Sequence, residues 1–538
     1  MAANSFRNNK VHPAPNNVDI DENRGRQLTE ADIYNADFET AISATKFGKF
    51  NVILFLLSIP AGWTSMFETT TMSYVFPAAH CDLNLSLNDK GSLNAVTFLG
   101  MVTSGFVWGF LCDTLGRKKL MVIGYLIDAM FVIMSSFSQN YTLLIIFKFF
   151  GGFIINGPFA ALTAYMSEFH CSKYRSRVQL GRGMIVSCGT MVLPLLAWAI
   201  LPQKIDIRLD DNIVLHSWNI YLLVCAIPSL ISGILFIFMP ESPKFLMTVG
   251  RNKEALAVFK QVFSINTGKS KEEFPIKHLV DETKLERVDE SRHGGHITAN
   301  RSKSLALKEG FQQIKPLCFP PHLKHIILVC TMQSMYMLSI NTLRLWLPQI
   351  FQSISDYEYY NNGTTASLCT MLEILNSEKD SDEGCYVNFS ASVYLNTMVI
   401  SMVSMSGYVV AGSLINRLGK KPLLAILSVF GGLFAISIYF AQNTATVLTL
   451  ASLFLSFGGI CGNVILTIVI DLFPTKLRTV TISLVMMLGR SASMAGNLVF
   501  PLLLNLGCGP PFFSIGSIVI GCSVLAILLP NTDLKALK

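Results

Sequence analysis

Charge is scarce in this chain. Charged residues make up 14% of its 538 positions, against about 25% in soluble domains, and the mean hydropathy is +0.47. So much apolar sequence excludes a water-soluble globule. The start of the chain lacks the apolar core of a cleavable leader. Residues 1–46 are polar and rich in Asn, Asp and Arg, so the first apolar run is expected to serve as the insertion signal. No nucleotide-binding loop, metal-ligand cluster or nucleophile motif stands out. That argues against an enzyme and against a pump driven by nucleotide hydrolysis in this chain, and no cofactor or metal is expected. The 12 cysteines fall mostly inside apolar runs and do not make a disulfide framework. The net charge of +7 is concentrated in short loops between those runs. It therefore reads as membrane topology and not as nucleic-acid binding.

What the chain has instead is twelve apolar runs, at about 50–77, 91–111, 120–139, 141–167, 180–201, 218–239, 323–350, 391–412, 422–441, 446–470, 479–503 and 510–530. Each approaches the ~20 residues that cross a bilayer as a helix. The loops on one side hold Arg117, Lys118, Lys119, Lys173, Arg175, Arg177, Arg182, Arg417, Lys420, Lys421, Lys476 and Arg478; the other side holds Asp82, Asp89, Asp206, Asp210, Asp211 and the acidic segment 356–383. The positive-inside bias puts both termini in the cytoplasm. The expected layout is a tail at 1–46, a six-helix bundle at 47–240 and a central cytoplasmic loop at 241–321. A second bundle follows at 322–530 with an outer loop at 351–390, and a short tail at 531–538. Residues 252–263 carry a helical period through Ala255, Leu256, Phe259 and Val262–Phe263, which predicts an amphipathic helix in the central loop. A short helix at the membrane surface is expected within 31–46. Asn362 and Asn388 open glycosylation sequons in the outer loop. Cys369 and Cys385 lie on the same oxidising side, where they are able to pair.

Two motifs repeat. Gly109–Lys119 reads G-F-L-C-D-T-L-G-R-K-K, and G-S-L-I-N-R-L-G-K-K returns at Gly412–Lys421, an offset of 412 − 109 = 303. Glu168 is followed seven residues later by Arg175, and Asp471 seven later by Arg478, again 471 − 168 = 303. Two independent markers at one offset make the chain two homologous halves, as is common among transporters. In the first copy Gly109 and Gly116 are expected to let helices turn and approach closely. Asp113 offers an acceptor to a helix N-terminus, and Arg117 and Lys118 offer cations to a carboxylate. The second copy, with Gly412, Gly419 and Lys420, has Asn416 where the first has Asp113, so its latch should be weaker. Gly458 and Gly459 lie within a span and read as helix-packing positions.

Those residues carry a resemblance. The G-x-L-x-D-x-x-G-R-K loop between the second and third runs resembles the signature of the major facilitator superfamily. Pro240-Glu241-Ser242-Pro243-Lys244-Phe245-Leu246, after the sixth run, is similar to the P-E-S-P-x-x-L of sugar porters. Arg251-Asn252-Lys253-Glu254-Ala255-Leu256 and Asn341-Thr342-Leu343-Arg344-Leu345-Trp346-Leu347-Pro348 resemble the branch of synaptic vesicle glycoprotein 2, its relatives and the organic ion transporters. The resemblance covers about residues 46–530. It implies an all-α membrane fold of 12 transmembrane helices in two pseudo-symmetric six-helix bundles. It also implies that Glu168/Arg175 and Asp471/Arg478 are gate ion pairs. The outer loop is much shorter than the luminal domain of the vesicle glycoproteins.

Charges inside the spans are costly and usually mark function. Glu68 lies mid-span in the first run, Arg344 late in the seventh and Arg490 mid-span in the eleventh, on helices that the resemblance places around a central cavity. Two readings of Glu68 stand side by side. In one it binds a proton or cation while the arginines contact substrate; in the other it pairs with Arg344 or Arg490 across the cavity. Lys148, near the outer end of the fourth run beside Gly151 and Gly152, reads either as a porter-like cation or as a residue snorkelling to the interface. Trp63, Tyr336, Trp346, Trp198 and Tyr221 offer rings for an aromatic cage, with belt or packing roles as the plainer reading for Trp198 and Tyr221. Asp128, mid-span in the third run, has no account at this level.

The expected function is a secondary or facilitative transporter of a small organic solute, with protons or another ion as coupling partner, acting as a monomer in a plasma or vesicle membrane. The alternative is a non-transporting vesicle glycoprotein with a regulatory or trafficking role. The topology is directly testable. Protease applied to sealed, right-side-out cells should spare 240–322 while Asn362 and Asn388 carry glycans; cleavage of that loop without permeabilisation would overturn the assignment.

Overall fold

The computed structural model describes residues 36–280 except 204, 211 and 212, residues 319–372 except 321, and residues 390–530 except 474. Within these the regular structure is helical apart from an isolated bridge between Ala36 and Leu279 and one hairpin between the fifth and sixth spans, the exposed strand Asp206–Asp210 paired antiparallel with Ile213–His216. The twelve spans are Lys49–Leu83, Leu87–Leu115, Arg117–Ser136, Tyr141–Glu168, Ser172–Ile200, Ser217–Ile237, His322–Tyr360, Ala391–Leu418, Lys420–Phe440, Thr444–Leu472, Thr475–Asn505 and Gly509–Ile527. Several outrun their apolar runs by a turn or two, because Asn and Ser caps outside the runs start the helices. Ser86 accepts from Asp89 N, and Asn443 from Thr446 N. The sixth span breaks at Ala226, just before Pro228. Leu56, Val107, Ile123 and Phe430 stand exposed on the outer surface, a face suited to lipid and not to water.

Helix packing repeats between the halves. The first span packs on the fifth and fourth, the second on the fourth, and the third on the fourth and sixth. The seventh packs on the eleventh and tenth, the eighth on the tenth, and the ninth on the tenth and twelfth. The halves meet where the second span packs on the eleventh and the eighth on the fifth, contacts exchanged by the same six-span shift. This is the two-bundle architecture of twelve helices. Close crossings need small residues: a Cβ on Gly152 would sit 2.2 Å from Thr97 O. Proline leaves a bonding vacancy in an apolar medium, and the fold fills one of these across the interface. Pro194 cannot donate to Thr190 O, and Ser401 Oγ donates to it at 3.2 Å.

The helix Asn252–Thr267 buries Ala255, Phe259, Val262 and Phe263. Against that face lies Phe38–Ala44, capped by Asp37 and burying Phe38, Ala41 and Ile42. Asn266 ties both to the membrane domain: its Oδ1 accepts from Phe50 N, and its Nδ2 donates to Lys46 O. On the other side, Cys369 is disulfide-bonded to Cys508. The pairing of Cys369 with Cys385 is therefore corrected; Cys385 lies outside the described residues. The bond joins the short helix Leu368–Leu372 to the start of the twelfth span, and Leu368 N donates to Ala441 O at 2.9 Å. The outer segment thus clamps the seventh, ninth and twelfth spans. Cys81 is disulfide-bonded as well. Asn362 is exposed in a turn at φ 52°, open to a glycan; Asn388 lies outside the described residues.

Glu39 fixes the tail to the membrane domain. The fifth span starts without a side-chain cap of its own, and the Glu39 carboxylate accepts from Ser172 N there and from Arg175 Nη2 at 2.9 Å. Burial would raise the Glu39 carboxyl, but the Ser172 bonds and Arg175 outweigh it and hold it below its usual range. A lowered carboxylate stabilises docking fully above the ordinary carboxylate range and loses that contribution as pH falls through the lowered value. Hydrogen exchange over Phe38–Ala44 should therefore rise on acidification in the wild type and be raised already at neutral pH in Glu39→Gln. Equal protection in both proteins at neutral pH would show that the carboxylate does not hold the tail.

Candidate functional site

The repeated loops form one end of the site. Gly116 and Gly419 both take positive φ, 92° and 83°, where a side chain is strained, so the turn into the third and ninth spans requires glycine. Gly109 plays no such part: a Cβ there would meet nothing, which corrects the expectation of a close approach. Gly412 lies inside the eighth span. The side chains of Asp113, Asn416 and Arg478 lie outside the described part of the molecule.

The expected gate pair Glu168/Arg175 is not the one in the structure, and the expected pair Asp471/Arg478 falls on a side chain outside the described residues. Glu168 pairs with Arg117 at 3.3 Å and accepts from Ser242 Oγ, while Arg175 pairs with Glu39. Asp471 pairs with Lys420. These contacts obey the same repeat, because Arg117 and Lys420 are also 303 apart. The reason is geometric. Arg175 sits on the next helix, where its Nε is drawn to Ser167 O, whereas Arg117 opens the third span beside the end of the fourth. Glu241 of the P-E-S-P motif completes the first copy: its Oε1 accepts from Lys118 N at 3.0 Å, on the positive end of the third span. In the second half Lys421 Nζ donates instead to Ile527 O and Leu529 O at the end of the twelfth span.

Within the membrane the charges fall into two groups. Glu68 and Lys148 pair at 2.8 Å, both fully buried. Glu68 is thus partnered by Lys148 and not by Arg344 or Arg490, and Lys148, 1% exposed, does not snorkel. Gly151 makes the room: a Cβ there would lie 2.3 Å from Glu68 Oε1. Asp128, 0% exposed, reaches the same pocket and accepts from Ser229 Oγ at 2.7 Å. The pocket has no room for a water molecule.

The second group consists of the two arginines. Arg344 donates to Asn341 Oδ1, whose Nδ2 donates to Ser493 Oγ at 2.8 Å; Tyr408 and Tyr74 stand within its electrostatic range. Arg490 donates to Asn156 Oδ1 of the fourth span, a bond between the halves, and Asn156 Nδ2 donates to Met101 O at 3.0 Å. Among the described residues neither arginine meets a carboxylate. Asn156, Asn341 and Ser493 were missed by sequence reasoning; a mid-span amide among glycines was the available signal for Asn156.

The rings do not form a cage. Tyr336 is buried within the second half with its hydroxyl on Ser428 Oγ, and Trp346 stacks on Phe500 at 4.9 Å. Trp63 Nε1 donates to Ile185 O at 3.0 Å, Tyr221 is buried, and Trp198 is 45% exposed. Tyr336 and Trp346 are thus packing residues, held apart by separate partners.

Comparison with known proteins agrees with this architecture. Residues 59–377 match the Major Facilitator Superfamily. Synaptic vesicle glycoprotein 2B of Rattus norvegicus is 22% identical over 583 aligned positions, covering 92% of this chain and 85% of that one. Synaptic vesicle glycoprotein 2A of the same species is 28% identical over 330, covering 60% and 44%. Among solved structures, a D-xylose-proton symporter superposes with a TM-score of 0.62 at 15% identity, covering 91% and 99%; a mutant of the nucleoside transporter NupG gives 0.55 at 14%, covering 89% and 98%.

The pairing at the repeated loops is open to double-mutant cycles on the stability of purified protein. Arg117→Gln with Glu168→Gln, and Lys420→Gln with Asp471→Asn, should each give a coupling of about 1 kcal/mol or more. Arg175→Gln with Glu168→Gln should give under about 0.3 kcal/mol. The reverse ranking would restore the pairs expected from sequence.

Proposed function

The chain belongs to the Major Facilitator Superfamily and is similar to the synaptic vesicle glycoprotein 2 proteins, and from that premise we propose that it is a secondary transporter of a small organic solute bearing negative charge, working by alternating access. The fold is that of a multi-pass membrane transporter. The observation that carries the solute class is the pair of buried arginines. Arg344 and Arg490 face the interface of the halves with amides, hydroxyls and tyrosines around them and no carboxylate among the described residues. A buried guanidinium without a counter-ion is costly, and an anionic group on the solute supplies the missing charge. The Arg490–Asn156 bond joins the two halves at mid-membrane and has to break as they rock apart. Glu68 and Lys148 lie outside this group and are the candidates for ion coupling, as befits a fold shared with a D-xylose-proton symporter. The cytoplasmic ion pairs of the repeated loops act as the latch on which the halves close. Both termini and the central loop lie on the cytoplasmic side, and a single chain is the working unit.

A second reading has one observation in its favour: the curated relatives are named as synaptic vesicle glycoproteins and not as transporters. One experiment separates the two. Purified protein is heated with a panel of organic anions, organic cations and neutral sugars. An anion should stabilise it, by about 2.7 kcal/mol at a hundredfold excess over its dissociation constant, and Arg344→Gln and Arg490→Gln should each abolish the effect. Stabilisation by cations alone would overturn the solute class. No stabilisation by any member, with no uptake into vesicles, would favour the non-transporting glycoprotein.

A further inference from the structure

The pocket of the first half holds an odd number of charges. Glu68 from the first span and Asp128 from the third are carboxyls; Lys148 from the fourth is the one ammonium opposite them. Cys225 from the sixth span and Tyr125 on the turn before Asp128 are neutral at ordinary pH. The Arg182 guanidinium of the fifth span lies within electrostatic reach of Tyr125 but outside the lining, bonded to Gln179 and set over the Phe159 ring. The second span contributes no ionisable side chain to the lining. With both acids ionised the pocket would carry one uncompensated negative charge in the middle of a bilayer, away from water. Such a charge is removed either by a cation or by a proton. The space does not admit a water molecule, so a hydrated metal ion has no room.

The geometry around Asp128 identifies the acid that takes the proton. Glu68 is directly paired with the ammonium at 2.8 Å and is the better stabilised anion. Asp128 has one oxygen, Oδ1, with no hydrogen-bond partner and buried in the pocket. Its other oxygen lies 2.7 Å from Ser229 Oγ, and the same Oγ lies 2.9 Å from Tyr125 O. A serine hydroxyl has one proton to give and can also accept. If Asp128 is ionised, Ser229 donates to it and leaves Tyr125 O. If Asp128 is protonated, its O–H donates to Ser229 Oγ, and Ser229 donates onward to Tyr125 O. Only the protonated arrangement uses both short contacts at once.

We propose that Asp128 is a proton-binding residue: it carries one proton when Glu68 and Lys148 are paired, and Ser229 relays its hydrogen bond to the third-span backbone. This rests on and deepens the transporter reading by naming the proton as the ion held in the first half. When the proton leaves, the two carboxylates compete for Lys148 and Ser229 turns its hydroxyl toward Asp128. The pocket joins the first span to the third, fourth and sixth, so occupancy by the proton is felt by the helix that also faces the second half.

The proton can be read without knowing the solute. Protein reconstituted in phosphatidylcholine vesicles is examined by infrared spectroscopy for the C=O stretch of a buried, protonated carboxyl. The difference between wild type and Asp128→Asn should contain one such band at neutral pH, lost as pH is raised. Charge balance sets the other variants. Glu68→Gln should lose the band, because Asp128 then ionises against Lys148, and Lys148→Met should roughly double it, because both acids must then be neutral. Ser229→Ala, which leaves all three charges in place, should keep the band but shift it to higher frequency as the carboxyl loses its acceptor. This variant keeps the test alive if Asp128→Asn does not fold. A missing band, a band unmoved by Ser229→Ala, or a band removed by sodium chloride at fixed pH would overturn the proposal. The signal reports the proton whether or not solute moves, so failure of every uptake assay would count against the transporter reading and leave this site standing.

Discussion

A charge inside a bilayer must find its opposite within the protein, and the interior of this molecule is arranged by that requirement. Removing one partner of a buried ion pair costs about 3–5 kcal/mol, a large share of the stability of any domain. Glu68 therefore cannot be chosen independently of Lys148, nor Lys148 independently of Gly151, whose missing side chain leaves room for the carboxylate. The same requirement makes the arginines informative. Arg344 and Arg490 are held by neutral amides, which satisfy their N–H groups but not their charge. Hydrogen bonding and charge balance are separate demands, and in the second half only the first is met by the described protein groups.

Pseudo-symmetry explains where the halves agree and where they part. The offset of 303 is obeyed by the glycine turns, by the ion pairs Arg117–Glu168 and Lys420–Asp471, and by the packing order of the spans. These features govern how helices turn and cross, and either half needs them. Departures appear at the ends and in the interior. Glu241 covers the start of the third span, whereas Lys421 reaches the end of the twelfth. Among the described residues the first half alone is covered by Phe38–Ala44 and Asn252–Thr267.

Sequence made the architecture legible because hydropathy and the repeat are one-dimensional signals. Apolar runs located the spans, and two motifs at one offset located the halves. Partner choice was not legible in the same way. Glu168 and Arg175 are seven apart in sequence, yet the cation that reaches Glu168 is Arg117, brought there by the packing of the third span on the fourth. One reading of Glu68 paired it with the arginines because these were the charges expected around the cavity, and Lys148 stood between a porter-like cation and a snorkelling residue without being assigned to Glu68. Which face of a helix a residue occupies decides such cases, and a highly apolar helix carries little periodicity from which to read its face. Cys369 had the same difficulty: its partner Cys508 is 139 residues away, beyond any local pattern.

The division of charge between the halves also bears on how a cycle would be ordered. The acids and their ammonium sit in the first half, closed off and compact, while the arginines of the second half stand at the interface with the first. Asn156 touches both worlds: it lies two turns beyond Lys148 on the fourth span and accepts from Arg490 across the interface. A change of ionisation at Glu68, Asp128 and Lys148 acts on the fourth span directly, since Lys148 is part of it. A solute anion drawn to Arg490 competes with Asn156 for the same guanidinium. In the proposed mechanism, then, ion and solute meet mechanically on one helix while their sites stay chemically separate. The solute weakens the bond that holds the halves together, and the proton sets the position of the helix that bears it.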